Sequence, residues 1–236
     1  MYKFSENGFK FALSDDGKPI EGFLGDEQNA ELLIILKEPN NNNQPDFWFY
    51  NVVNNLLGSQ GESVRDRKGL RFLRILGKLS CSILKEKSDD DDDIEAALKK
   101  CAFINLYPFD GESYAGKDSG YIKTCIALNK KLNNKKPKSE CDKKYIAIAE
   151  NRIELLENLS KSNIKYILTV TGVFAILSYR KNVKPYLKME YGKNKTRIFN
   201  CCELTNGTKI FEFWHPSCRR INYTYLDEAL SECNEH

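Results

Sequence analysis

The chain has 236 residues, 41% hydrophobic and 29% charged, with 36 basic and 33 acidic side chains and a formal net charge of +3. That length suits a single domain with a substantial buried core, and the composition excludes a disordered or fibrous chain. The net charge is too slight for a protein that binds polyanions over its whole surface, so any nucleic-acid contact must be local.

In chain order, Met1-Tyr2-Lys3-Phe4-Ser5-Glu6-Asn7 lacks the apolar run of a signal peptide, and no window approaches a membrane span. A cytoplasmic domain without a membrane partner is expected. Residues 1–24 carry Phe4, Phe9, Phe11 and Leu13 in partial alternation, then Ser14-Asp15-Asp16-Gly17-Lys18. This pattern predicts a peripheral hairpin or arm with an Asp-Gly turn. Residues 31–37, built on Leu32-Leu33-Ile34-Ile35, predict the first core strand. Asn40 to Gln44 is an asparagine-rich loop. Beyond it Phe47, Tyr50, Val53 and Leu57 fall at helical spacing. A second helix is expected over about 67–84, with Leu70, Leu73, Ile75, Leu76, Leu79 and Ile83 on its apolar face.

The acidic run from Ser88 to Asp93 predicts a solvated turn whose carboxylates suit the start of a helix at 94–100. Five consecutive aspartates lack the alternation and turn-forming glycine of a calcium loop. Residues 101–106 predict the second core strand, 110–120 a loop, 122–132 a helix, 130–144 a lysine-rich surface connection and 145–160 another helix. Residues 165–170 predict the third core strand, with a helix over about 173–181. Segments 197–203 and 209–213, joined across Thr205-Asn206-Gly207, read as a hairpin whose second arm is the last core strand. A short helix over 225–233 follows. Strands alternating with helices imply an α/β fold: a central, mainly parallel four-stranded sheet sandwiched by helices, with right-handed crossovers. One domain is expected over 1–236, with its core at about 30–225 and 1–24 as the peripheral arm.

The eight cysteines, at 81, 101, 125, 141, 201, 202, 218 and 233, show no Cys-x-x-Cys spacing. Reduced, mostly buried thiols are expected rather than an iron–sulfur cluster or a disulfide framework. No Gly-rich phosphate loop is present, so no nucleotide cofactor is expected, and the aspartate run gives no reason to expect a metal.

Two motifs carry the chemistry. Leu36-Lys37-Glu38-Pro39-Asn40 follows the first core strand, and Trp214-His215-Pro216-Ser217 follows the last. Proline lacks the N–H and fixes φ, so it stops the ladder and holds the preceding residue extended at the strand's carboxyl end. Ligands in open α/β sheets bind at that end. A carboxylate (Glu38), an imidazole (His215) and, after Ala102-Phe103-Ile104, an amide (Asn105) are thus expected at one rim.

This ordered set resembles the uracil-DNA glycosylase superfamily, in which an acid-Pro pair ends the first core strand, an Asn ends a middle strand and His-Pro-Ser ends the last. Tyr166-Ile167-Leu168-Thr169-Val170-Thr171-Gly172 is similar to the family's strand-then-Gly element between them. The resemblance covers roughly residues 30–225 and implies a three-layer α/β/α sandwich. It implies a metal-independent DNA glycosylase that hydrolyses the N-glycosidic bond of uracil, or a related deaminated or damaged base, flipped out of DNA.

In that reading Glu38 activates water and stabilises the cationic sugar, and His215 donates a hydrogen bond to the departing base. Asn105 reads the base edge, Asn40 lies at the position that tunes base choice, and Phe49 or Trp48 stacks on the base. Lys37, Ser217, Arg219 and Arg220 contact DNA, the arginines from the loop that follows His-Pro-Ser. The family usually has Asp where this chain has Glu38, Gly where it has Leu36, and Tyr or Gly where it has Asn40. The expected partner is single- or double-stranded DNA, bound by a monomer. Two other readings remain open: a non-cleaving module of the same fold that binds DNA, a nucleotide or a protein, and an enzyme acting on a free nucleoside or nucleotide.

Overall fold

A computed structural model describes residues 3–6, 9–13, 16–17, 19–37, 70–109, 120–136, 140–170, 187–191, 196–204 and 207–213. The strands are β1 (Lys3–Phe4), β2 (Ala12–Leu13), β3 (Gly22–Phe23), β4 (Leu32–Leu36), β5 (Cys101–Asn105), β6 (Tyr166–Thr169), β7 (Leu187–Tyr191), β8 (Thr196–Glu203) and β9 (Lys209–Glu212). Four helices interleave with them: α1 (Leu70–Leu84), α2 (Asp91–Lys99), α3 (Gly120–Leu132) and α4 (Glu140–Asn158). The fold is mixed α/β.

The main sheet has seven strands in the order β3-β5-β4-β6-β9-β8-β7, and β1 and β2 form a separate antiparallel pair. The four expected core strands, β5, β4, β6 and β9, lie side by side and run parallel. The sheet is wider than the expected four because antiparallel strands extend both edges. β3 pairs with β5 on one side, and β8 and β7 follow β9 on the other. The β8–β9 hairpin closes as expected, with Gly207 at φ 84° in its turn. β7 is missing from the expected elements, although Leu187-Lys188-Met189-Glu190-Tyr191 has the strand's period of two.

Each parallel strand is buried on both faces, and its alternate residues enter different clusters. Leu32, Ile34, Leu36, Phe103, Leu168 and Phe211 pack with Leu73, Leu76 and Leu79 of α1 and with Ile94 and Leu98 of α2. Leu33, Ile35, Ile104, Ile167 and Ile210 instead pack with Ala127 and Leu128 of α3 and with Ile148 and Leu155 of α4. Burying such a side chain fully is worth about 1.5–3 kcal/mol, which is why continuous apolar runs rather than alternating ones mark these strands.

α2 starts at Asp91 rather than at Ile94, so the aspartate run both caps the helix and forms its first turn instead of a turn before it. The Asp90 carboxylate accepts the Asp93 N–H at 2.9 Å, and Asp91, Asp92 and Asp93 occupy the positive first turn. α4 starts at Glu140 rather than Tyr145, so the lysine-rich stretch is only partly a connection. Lys130 and Lys131 close α3, while Lys143 and Lys144 belong to α4, as befits a residue with good helix propensity.

The N-terminal arm is less peripheral than expected. β1 pairs with β2, and a turn with Gly17 at φ 84° brings Pro19 back against Leu13. Phe9 and Phe11 are nonetheless buried in the same cluster as Leu33 and Ile35. Both rings meet Phe23 edge-on, at 5.1 and 5.2 Å between centroids. Large aromatic surfaces stabilise most when shut from water, so the arm seals one end of the core. The expected helices near 47–57, 173–181 and 225–233 and the loops at 40–44 and 110–119 lie outside the described residues. Among the described residues, no helix is long and apolar enough to cross a membrane.

Candidate functional site

The register of the parallel strands aligns their carboxyl ends. Leu36 pairs with Asn105, Ile35 with Thr169, and Thr169 with Glu212. One step further along each strand, Asn105, Leu36, Val170 and Phe213 form one row across four strands. Bonds past the strand ends continue the ladder: Val170 N–H donates to Ile35 O at 3.3 Å, Phe213 N–H to Thr169 O at 2.8 Å, and Tyr107 N–H to Lys37 O at 2.9 Å. From β4 the chain crosses to β5 on one side, and from β6 it passes to β9 on the other. The β4/β6 boundary is therefore the topological switch point, the place outside the carboxyl ends where open α/β sheets bind their ligands.

Leu36, Val170 and Phe213 all belong to the cluster packed on α1 and α2. Asn105 shares their row and is 2% exposed, so it is the polar end of an otherwise apolar row. Its backbone is held by a charge. The Asn105 N–H donates to Glu21 Oε1 at 2.7 Å, and Arg152 Nη2 donates to the same oxygen at 2.6 Å. Glu21 Oε2 accepts the Ala12 N–H at 2.9 Å. Arg152 Nη1 donates to Asn151 Oδ1 at 3.0 Å, and Asn151 Nδ2 donates to Lys10 O at 3.0 Å. A buried carboxylate with three donors is well compensated for lost water. Arg152 Nε and Thr124 Oγ1 are buried without a hydrogen-bond partner among the described residues.

Lys37 is half-buried, and its ammonium lies 5.2 Å from the centre of the Tyr121 ring. Tyr107, just beyond Asn105, packs edge-on against Phe109 at 5.9 Å and tilted against Tyr145 at 6.0 Å. Lys123 and Lys144 lie 5.7 and 5.2 Å from the Tyr145 ring centre. Gly120 opens α3 because the Tyr107 ring occupies the space of a side chain: a Cβ there would come within 2.5 Å of ring carbons. The rim on the α3/α4 side is thus a cluster of aromatic rings capped by lysines.

Of the predicted site residues, Asn105 and Lys37 are described, and they stand on neighbouring strands with Leu36 paired to Asn105. Glu38, Asn40, Trp48, Phe49, His215, Ser217, Arg219 and Arg220 lie outside the described residues. Sequence reasoning does not find Glu21 or Arg152, because neither sits in a motif. The run Pro19-Ile20-Glu21-Gly22-Phe23, a lone acid among apolar residues before a glycine, is the available signal. Tyr107, Tyr121 and Tyr145 are likewise ordinary aromatics until the rim assembles them.

The thiols at the opposite end of the sheet are inert. Burial pushes Cys101 up to about 12, against a weaker lowering by the Ser80 hydroxyl. Burial, helped by the charges of Glu86 and Asp93, pushes Cys81 up to about 11. Among the described residues no cluster of three or more His, Cys, Asp or Glu side chains is arranged to hold a metal ion. Comparison with known proteins finds no matching family model, curated protein or solved structure.

Proposed function

We propose that this protein is a base-excision DNA glycosylase of the uracil-DNA glycosylase type, built as a three-layer α/β/α sandwich. The observation that carries the reading is the row Asn105, Leu36, Val170 and Phe213. Glu38 and His215 follow Leu36 and Phe213 by two residues each. β4 and β9 are separated only by β6, so at ~4.8 Å per strand the strand ends Leu36 and Phe213 lie roughly 10 Å apart. That span suits a nucleoside lying across the switch point. The division of alternate strand residues between the α1/α2 and α3/α4 clusters supports the sandwich.

In this reading the base is first flipped from the stack. Glu38 orients a water molecule and its charge stabilises the oxocarbenium-like sugar. The water oxygen bonds to C1′ as the C1′–N bond breaks, and the bonding pair leaves with the base. His215 donates a hydrogen bond to the base oxygen where negative charge builds, while Glu38 takes the water's proton. The departing base anion is protonated by solvent. Asn105 reads the base edge, Phe49 or Trp48 stacks on it, and Asn40 lies beside it. Lys37, Ser217, Arg219 and Arg220 hold the backbone. No metal or cofactor takes part.

The test is abasic-site formation on single- and double-stranded oligonucleotides carrying uracil, hypoxanthine or a T·G mismatch. Wild type is expected to give alkali-cleavable product on at least one, and Glu38→Gln and His215→Ala none. Product that survives both substitutions, or none from folded wild type on any substrate, overturns the enzyme reading. One observation favours a second reading. Leu36 fills the row with a buried side chain where the family's acid motif begins with Gly. A non-cleaving module that binds DNA, a nucleotide or a protein through the same rim tolerates that change more easily. DNA binding without excision of any base would select it.

A further inference from the structure

We propose that the lysine-rich surface of α3, the residues that follow it (133–136) and the first two turns of α4 (140–147) is a second DNA contact, holding the phosphate backbone beside the rim. The identity of the polyanion rests on the glycosylase reading; the charge pattern does not. Residues 120–147 carry eight lysines and two acids, a local charge of +6 that leaves −3 on the rest of a chain whose total is +3. A polyanion meeting this molecule is drawn to one surface and repelled mildly elsewhere.

The geometry joins that surface to the candidate site. Lys123 and Lys144 converge on Tyr145, Tyr145 packs on Tyr107, and Tyr107 follows Asn105 by two residues. Farther along α3 and α4 an open cleft of about 410 Å³ is lined by Lys131, Asn134, Lys135, Lys136, Ile146 and Glu150. Lys131 is paired with Glu150 at 2.6 Å. Among the described residues Lys123, Lys135 and Lys136 form no ion pair. Ile126, 50% exposed, stands on α3 between Lys123 and Lys130 at the i−3 and i+4 positions, and it is the exposed large hydrophobic residue among those described. Cations framing one apolar side chain match the alternation of phosphate and sugar along a DNA strand. These contacts position the strand and carry no base information.

The experiment measures binding of a fluorescent undamaged duplex to the full chain across a salt series of about 50–200 mM. Wild type is compared with the quadruple variant Lys123→Gln, Lys135→Gln, Lys136→Gln, Lys144→Gln and with the corresponding four Lys→Arg changes. Each lost phosphate contact flattens the slope of log K against log salt by about 0.9, so a loss of about 2–4 is expected for the Gln variant. The Arg variant should keep the wild-type slope, which a purely structural role of the lysine stems would not require. An unchanged slope in the Gln variant overturns the proposal, as does absence of duplex binding by wild type. Polyglutamate competing as well as unlabelled duplex also overturns it, assigning the surface to an acidic protein. The two proposals fail separately. A flattened slope with no excised base sinks the glycosylase and leaves this surface standing, and excision with an unchanged slope does the reverse.

Discussion

Glu21 and Arg152, 131 positions apart in the chain, form a 2.6 Å ion pair whose side chains are 0% and 2% exposed. Glu21 precedes β3 and Arg152 lies in α4, so the pair ties the N-terminal edge of the sheet to the helix packed across it. Its third member is the Asn105 N–H at the carboxyl end of β5. The charge therefore fixes the backbone of a candidate base-reading residue without touching the Asn105 side chain. Buried ion pairs add little net stability over apolar residues of the same shape, but a lone buried charge is costly. The pair is best understood as a device that specifies where β3, β5 and α4 meet.

Removing one partner should accordingly unfold the protein more readily than removing both. Glu21→Ala is expected to cost about 3–5 kcal/mol in urea denaturation, because it strands the Arg152 guanidinium. The double variant Glu21→Leu, Arg152→Met should recover most of that loss. A Glu21→Ala midpoint equal to wild type would show that the pair holds nothing.

Asn105→Ala separates the side chain from the backbone it shares with this network. The N–H bond to Glu21 survives the change, so stability should fall by no more than about 1–2 kcal/mol. On the proposed activity, losing one hydrogen-bonding group aimed at the departing base should lower kcat/KM by about 10²–10³. Steady-state excision kinetics beside a denaturation curve check both. Full activity would remove Asn105 from the site and leave it a structural residue.

Gly120 and Tyr107 should be coupled. A methyl at 120 collides with a ring that is itself buried and braced by Phe109 and Tyr145, so Gly120→Ala should destabilise by about 1–3 kcal/mol. Tyr107→Leu in the same chain should relieve part of that cost, giving a non-zero coupling in a double-mutant cycle. Strictly additive effects would mean that the ring moves aside freely.

The buried thiols give a pH dependence of known sign. Cys101 and Cys81 titrate in the folded state near 12 and 11, above the ordinary 9.0. The folded chain thus keeps protons that the unfolded chain releases. The stability from these groups is complete below pH 9 and is lost as pH rises toward the folded values. Thermal melts should therefore decline between pH 9 and pH 11, and Cys101→Ala should flatten that decline. At pH 8, alkylation should reach half-buried Cys125 while sparing Cys81 and Cys101 until the chain unfolds. Labelling of Cys101 in the native protein would contradict its burial.

The four parallel strands, the apolar stripe of α1 and the Asp cap of α2 were legible as local patterns, because each is written in neighbouring residues. Asn105 was legible for the same reason, as a polar residue closing an apolar run. The core role of Phe9 and Phe11, the edge strand β3 and the start of α4 were not. Their state depends on what packs against them, and partial alternation or a lysine run suits either outcome.

By itself the sequence determined the four parallel core strands, the apolar stripe of α1 and the Asp cap of α2, and that Lys37 and Asn105 stand at strand ends, since hydrophobic period and proline placement act within a few residues. Only the tertiary structure decided the strand order and the alignment of Asn105, Leu36, Val170 and Phe213 in one row. It alone also decided the meeting of Glu21 with Arg152 and the gathering of lysines around Tyr121 and Tyr145. Those relations join residues tens of positions apart, and their energies exist only once the sheet has brought the partners within hydrogen-bonding and van der Waals range.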